Sequence, residues 1–334
     1  MIGMRGRLPR KLSTLTARAY GGSGSAVGPK LKRLRVGGVP EHFNTPWHMA
    51  AAAGRFEELG LAFEWKEYPG GTGAMCRDLR SDEIDLAVLL TEGIVADLHH
   101  SAHSRLLGTY VRTPLTWGVH VHASSSVHSM EQLRAPATLR YAVSRMGSGS
   151  HLMAAVDARA RGWDPSSLHY EVVGSLQGAR SALAEGKADA FMWEKFTTKP
   201  LVDSGEWRRV GEVDTPWPCF MIAATNDVLE RMGPELLEVL RVVREEAEAL
   251  ELSPDAAEVI GTMYGLEDAD VSEWLTGMRW SCQPAVSHTT LEQVMATLGE
   301  VGVLDPSKLL PPSSLVSGLA ADVEPETLAL DDEF

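Results

Sequence analysis

The chain has 334 residues, 44% of them hydrophobic, with 31 Lys/Arg against 45 Asp/Glu and a formal charge of −14. That length holds two ordinary domains or one bilobed fold, and the composition is that of a globular, water-soluble protein. It excludes a membrane-spanning helix, which needs an apolar run of about 18 residues; the longest candidate, 84–95, is interrupted by Asp85 and Glu92.

Charge is unevenly spread. Residues 1–35 hold nine Lys/Arg and no acidic residue, which leaves 22 basic against 45 acidic residues elsewhere, a formal charge of −23. A body that acidic argues against nucleic acid as a partner and against docking on an anionic membrane. Residues 1–33 are rich in Arg, Ser, Thr and Gly and lack a long apolar core, which predicts an organelle transit peptide, mitochondrial or plastid, rather than a secretory signal. Without that role the basic start predicts a cytoplasmic chain. Cys76, Cys219 and Cys282 are odd in number and far apart, which suits neither disulfides nor zinc. They read as small apolar core residues in a reducing compartment.

From Leu34 the pattern becomes strand–helix–strand. Strands are expected at 34–39, 62–68, 85–90, 105–111 and 116–122. Thr45-Pro46 opens a helix running to about Leu59, and Gly70-Gly-Thr-Gly73 turns into another over 74–79. The plan repeats, with strands at 139–143, 168–173 and 189–193 and helices at 149–161 and 175–185. His48-Met-Ala-Ala-Ala resembles His151-Leu-Met-Ala-Ala, and Asp85-Leu-Ala-Val-Leu-Leu-Thr-Glu92 resembles Asp189-Ala-Phe-Met-Trp-Glu194. A strand entered through prolines follows at 216–224. A long helix over 227–252 should break near Pro234, and helices are expected at 254–264, 268–278 and 289–301. Interleaved strands and helices predict an α/β fold with mostly parallel sheets.

One stretch points to a ligand. In Val143-Ser-Arg-Met-Gly-Ser-Gly-Ser-His151 a strand turns through small residues into a helix. Such a turn aims free backbone N–H groups, hydroxyls and a positive dipole end at one place, flanked by Arg145 and His151. It could equally be a capped turn with no ligand. His120 and His122 share one face of a strand, as a metal site would require, but no third ligand has a matching spacing. Those two, with His99, His100, His103 and His128, are expected at the surface or on an edge strand, and no metal is expected. Neither a dinucleotide nor a phosphate-binding glycine loop occurs, nor a Gly-x-Ser-x-Gly elbow, so no cofactor and no catalytic residue are assigned.

Five segments together resemble the type II periplasmic-binding-protein fold: Gly38-Val-Pro-Glu-His-Phe43, Leu89-Leu-Thr-Glu-Gly93, Ser144-Arg-Met-Gly-Ser-Gly-Ser-His151, Phe191-Met-Trp-Glu-Lys-Phe-Thr-Thr-Lys-Pro200 and Trp217-Pro-Cys-Phe220. More narrowly they resemble the sulfonate/nitrate-binding and thiamine-pyrimidine-synthesis superfamily, and within it the intracellular eukaryotic Ca3427-like binding domains. The resemblance implies two similar lobes, one of residues 34–115 and 213–312 and one of 116–212; the acidic, proline-bearing end of the sequence predicts a disordered tail at 313–334. Crossovers near Leu115 and 215–218 would be the hinges.

The implied ligand cleft lies between lobes at the carboxyl ends of strands, where open α/β sheets bind ligands in any case. Its expected lining is Glu41, His42, Phe43, Thr91, Glu92, Gly93, Arg145, Ser148, Gly149, Ser150, His151, Trp193, Glu194 and Lys195. Carboxylates on one side and an anion nest on the other suit a zwitterion, a sulfonate or a heterocycle with an acidic substituent. The expected function is non-catalytic binding of such a metabolite, with no protein partner identified. The rival is an enzyme resembling the eukaryotic thiamine-pyrimidine synthase, which uses pyridoxal phosphate. It would need His42 or His48 as reactant and Lys66 or Lys195 for the Schiff base, and the chain lacks that family's cysteine-rich run.

Overall fold

The computed structural model of the chain describes residues 31–133 and 139–325. Most of the expected transit segment, residues 1–30, and the end of the tail, 326–334, lie outside them.

The first βαβ unit runs β1 (Lys32–Gly38), α1 (Thr45–Ala52), α2 (Arg55–Glu58), β2 (Leu61–Glu67), α3 (Thr72–Arg80), β3 (Leu86–Leu90), α4 (Thr91–His100) and β4 (Ser104–Val111). The second runs β5 (Thr116–His122), β6 (Arg140–Val143), α5 (Gly149–Ala160), β7 (His169–Val172), α6 (Leu176–Ala184), β8 (Ala190–Glu194), α7 (Lys199–Asp203) and β9 (Trp207–Asp214). The chain then returns through β10 (Phe220–Thr225) to α8 (Asn226–Glu251), α9 (Ala256–Tyr264), α10 (Asp268–Gly277), β11 (Trp280–Gln283), β12 (Ala285–Val286), α11 (His288–Glu300), α12 (Pro312–Leu315) and β13 (Ala321–Asp322).

Two sheets result, in the orders β11-β4-β10-β3-β1-β2 and β7-β6-β8-β5-β9. In each sheet three strands pair in parallel, β1, β2 and β3 in the first and β6, β7 and β8 in the second, while β10 runs antiparallel to its neighbours β3 and β4, and β5 to its neighbours β8 and β9. β10 enters the first sheet between β3 and β4, which makes that lobe discontinuous in sequence. Central β3 is an unbroken apolar run buried on both faces.

The repeat between halves reaches single hydrogen bonds. Arg35 donates to Asp85 from its backbone N (2.7 Å), Nε (3.0 Å) and Nη2 (2.8 Å). Arg140 donates to Asp189 from the same three groups at 2.9, 3.1 and 2.9 Å. In each lobe an aspartate just ahead of the third strand thus ties down the first, at the middle of β1 and at the start of β6. Ser175, Thr225 and Ser287 cap α6, α8 and α11 through side-chain oxygens, each worth about 1 kcal/mol. Pro234 kinks α8 as expected, with Met232 at φ −140° and ψ 21°.

Four expectations need correction. The helix predicted to run to Leu59 stops at Ala52, because Gly54 takes a left-handed conformation (φ 73°) and α2 starts anew. Strand β9, which sequence reading passed over, covers β5, so His120 is fully buried rather than at an edge. Its Nε2 lies 3.0 Å from Thr198 Oγ1, and burial pushes it down to about 4, holding it neutral. The region expected to be tail is ordered at least to 325: α12 packs on α11, and β13 pairs with β12. Lastly, Thr91, Glu92 and Gly93 form the first turn of α4, a helix the sequence pattern does not predict.

Candidate functional site

The two crossovers between lobes run side by side. Leu115 N donates to Thr215 Oγ1 (2.9 Å), Thr215 N to Leu115 O (3.0 Å), and Cys219 N to Thr113 O (3.1 Å). Above them the lobes meet around a cavity of about 30 Å³, space on the order of one water molecule. Larger hollows of about 490 and 320 Å³ lie on the outer surface at the amino ends of the strands. Ion pairs of Arg140 with Asp189, and of Arg35 and Arg231 with Asp85, line them. Of these three, the interlobe cavity is the candidate because it sits at the carboxyl ends of parallel strands from both sheets.

Its walls come from Val39 and Glu41 after β1, Gly71 and Thr72 at the start of α3, Leu90 at the end of β3, and Phe220. The second lobe adds Trp117, Ser144, Ser148, Gly149, Ser150, Trp193 and Glu194, and Leu115 comes from the crossover. Two helices of at least nine residues, α3 and α5, begin at this wall, and α4 begins beside Leu90. Their first N–H groups have no acceptor inside the helix, and their dipoles present positive ends.

Arg145 adds to this. Its Nε and Nη2 are buried, and among the described residues they have no hydrogen-bond partner. The guanidinium crosses to the other lobe and lies against the Gly70–Gly73 turn, where a Cβ on Gly73 would be 2.5 Å from Nε. Desolvation lowers its pKa, the nearby Cys76 opposes this, and Arg77 adds to it. A cation held at the positive end of α3 is electrostatically frustrated unless an anion joins it.

The carboxyl groups differ in what they are free to do. Glu194 is fully engaged: Oε1 accepts from Phe196 N (3.1 Å), and Oε2 accepts from Thr197 N (2.6 Å) and Thr197 Oγ1 (2.8 Å). Burial raises its pKa against those hydrogen bonds. Glu41 accepts one bond, from Trp193 Nε1 across the cleft at 3.1 Å. Burial first, then the charge of Glu194, push it up to about 8. Glu92 is buried and accepts from Trp217 Nε1 at 3.0 Å, while its Oε1 has no partner among the described residues; burial pushes it up to about 7.

Of the residues singled out from sequence, Glu41, Ser148, Gly149, Ser150, Trp193 and Glu194 line the cavity, and Arg145 lies beside it. The others turn elsewhere. His42 and Phe43 are buried under Trp274, and the carbonyl of Phe43 accepts from Tyr110 Oη (2.6 Å) and Trp280 Nε1 (2.9 Å). Thr91 and Glu92 bind the crossover through Pro218, Cys219 and Trp217. Gly93 packs against Thr72, which a Cβ would meet at 2.4 Å. His151 Nδ1 accepts from Gly147 N (3.1 Å), which holds the turn, and its ring meets Tyr170 edge-on. Lys195 points outward to Glu273 (3.2 Å) and Glu212 (3.4 Å).

Sequence reading missed Thr72, Leu90, Trp117, Ser144 and Phe220. The Gly70–Gly73 turn was a visible signal for Thr72, and Leu90, Ser144 and Phe220 lie in the segments that carry the family resemblance, whereas Trp117 carried none. Lys66 pairs with Asp78 at 2.7 Å on one face of β2, and His48 packs on Trp65 on the other, so neither reaches the cavity. Among the described residues, no cluster of three or more His, Cys, Asp or Glu could hold a metal, and no helix is long and apolar enough to cross a membrane.

Residues 117–213, the span of the second sheet, match the Ca3427-like PBP family. No curated protein matches the chain. Among solved structures, the Candida albicans CA3427 gene product, which exhibits the generic periplasmic binding protein fold, is 27% identical with a TM-score of 0.79. The match covers 88% of this chain and 99% of that one. The alkanesulfonate-binding protein SsuA of Xanthomonas axonopodis pv. citri, bound to MOPS, is 18% identical with a TM-score of 0.70, covering 89% and 100%. The aliphatic sulphonate binding protein SsuA of Escherichia coli is 16% identical with a TM-score of 0.65, covering 89% and 94%. With two lobes, paired crossovers and a cleft at the strand ends, the chain has the periplasmic-binding-protein-like fold and is similar, through its second lobe, to the Ca3427-like family.

Proposed function

We propose that the chain binds a small zwitterionic metabolite, with a sulfonate or carboxylate at one end and an amine at the other, and performs no chemistry on it. The observation that carries this reading is the guanidinium of Arg145 beside the first turn of α3, whose Nε and Nη2 have no hydrogen-bond partner among the described residues, in a wall where α5 also begins. An anionic group there would accept hydrogen bonds from N–H donors and neutralise a desolvated cation. Glu41, facing Glu194 with only an indole N–H as partner, suits the amine. The sulfonate-binding relatives agree with the anionic end. Against the pyridoxal-phosphate alternative, Lys66 and Lys195 are both engaged in ion pairs away from the cavity.

The test is a thermal-shift series with aminosulfonates and amino acids, starting from 2-aminoethanesulfonate. A ligand at about 100 times its Kd adds about 2.7 kcal/mol, which raises Tm by on the order of 5 °C in a chain of this size. Arg145→Ala should weaken that ligand by about 10- to 100-fold, the worth of a charged hydrogen bond. If anionic and purely cationic ligands shift the wild type alike, or Arg145→Ala shifts as much as wild type, the reading fails.

We also propose that residues 1–33 address the chain to an organelle, chiefly the mitochondrion. Fused to a fluorescent reporter, they should carry it there, and a diffuse cytoplasmic signal would reject the assignment.

A further inference from the structure

We propose that the lobes close with uptake of one proton, held between Glu41 of the first lobe and Glu194 of the second, so that acid favours the closed cleft and alkali favours the open one. This rests on reading the cleft as a site that opens and closes about a ligand, and it adds a regulation of that site.

The geometry carries the argument. Both carboxyl groups are buried, come from opposite lobes and face one cavity of about 30 Å³. Glu194 accepts three hydrogen bonds from its own loop, all of which favour its charged form. Among the described residues Glu41 has a single donor, Trp193 Nε1, and that donor belongs to the other lobe. The charged and titratable groups around Glu41 offer no compensation: Glu194 at the end of β8, Glu67 at the end of β2, the phenol of Tyr264 on α9, the buried thiol of Cys219 and neutral His42. The nearest lysine on the facing loop, Lys195, is drawn outward by Glu273 and Glu212. Closing the cleft therefore presses an uncompensated carboxylate against another one, and protonation relieves it.

Opening returns Glu41 to water and its ordinary value near 4.5, against about 8 in the closed cleft. Below about 5 both forms are protonated and closure does not depend on pH. Between about 5 and 8 only the closed form holds the proton, so the open-to-closed ratio rises tenfold per pH unit. Above about 8 both forms are ionised and the dependence ends.

Single-molecule energy transfer on the ligand-free full chain tests this. Dyes on Glu57→Cys and Ser181→Cys, exposed positions on the two lobes, report the open and closed populations; the three native cysteines are buried. Ionic strength is held constant, because Lys195–Glu273 and Lys199–Asp270 (3.2 Å each) also join the second lobe to α10. The expected result is a rising open population from pH 5 to 8 and a flat, closed profile in Glu41→Gln, which is neutral at every pH. A wild-type ratio independent of pH across that window overturns the proposal, as does a Glu41→Gln profile matching wild type. No ligand enters the measurement, so its failure leaves the ligand assignment standing, and failure of the thermal-shift series leaves this result unaffected.

Discussion

Asp85→Ala is expected to lower the unfolding free energy by about 3 kcal/mol, and Asp189→Ala by about 1 kcal/mol. The two aspartates make the same three hydrogen bonds to an arginine, with matching donors and nearly matching distances. They differ in surroundings. The Asp85 side chain is 4% exposed and is approached by a second cation, Arg231, at 3.6 Å, whereas that of Asp189 is 39% exposed. Removing a partner from a buried pair strands a desolvated charge, while water takes over at an exposed one. Parallel chemical-denaturation curves and melting temperatures check the difference, with a drop on the order of 5–10 °C for Asp85→Ala. Equal losses would mean that the repeat's geometry, and not its burial, sets the strength of this tie.

Gly149→Ala is expected to weaken ligand binding by about ten- to a hundredfold while leaving the ligand-free fold largely intact. A Cβ at Gly149 would lie 2.3 Å from Leu90 Cδ1 of the facing lobe and 2.8 Å from Trp117 Cη2 of its own. The tryptophan must turn slightly whether the cleft is open or closed. The contact with Leu90 spans the two lobes, so under the proposed opening and closing of the cleft the methyl acts as a wedge against the closed state. Overpacking of this kind costs about 1–3 kcal/mol, and a penalty on the binding-competent state enters the apparent affinity directly. Isothermal titration of the ligand that stabilises the wild type measures the loss. An unchanged Kd in a folded Gly149→Ala protein would show that the ligand is held without this closure.

Much of the fold was legible because its signals are local. The buried run Leu86–Leu90, the Pro234 kink, the small-residue turn before α5 and the aspartates at 85 and 189 each declare themselves within a few residues. Recognition of five short segments supplied the bilobed plan, and structural similarity over nearly nine-tenths of the chain agrees with it. Strand β9 escaped notice because Trp207–Asp214 mixes charge with apolar residues, a pattern its position at the edge of the second sheet explains only afterwards.

The site was legible at the level of segments and not of side chains. Sequence alone determined that acidic residues and a Gly-Ser turn would gather at the ends of strands, since both follow from residue type and chain direction. Tertiary structure alone decided which of them are free. Trp217 claims Glu92, the loop at 196–197 claims Glu194, Glu212 and Glu273 draw Lys195 away, and Trp274 buries His42. Glu41 and Arg145 keep unmet electrostatic demands because their would-be partners lie on the opposite lobe or are absent among the described residues. A hydrogen bond depends on tenths of an ångström between groups far apart in the chain, such as Trp193 and Glu41, 152 positions from each other. Residue spacing fixes no such distance until the lobes meet.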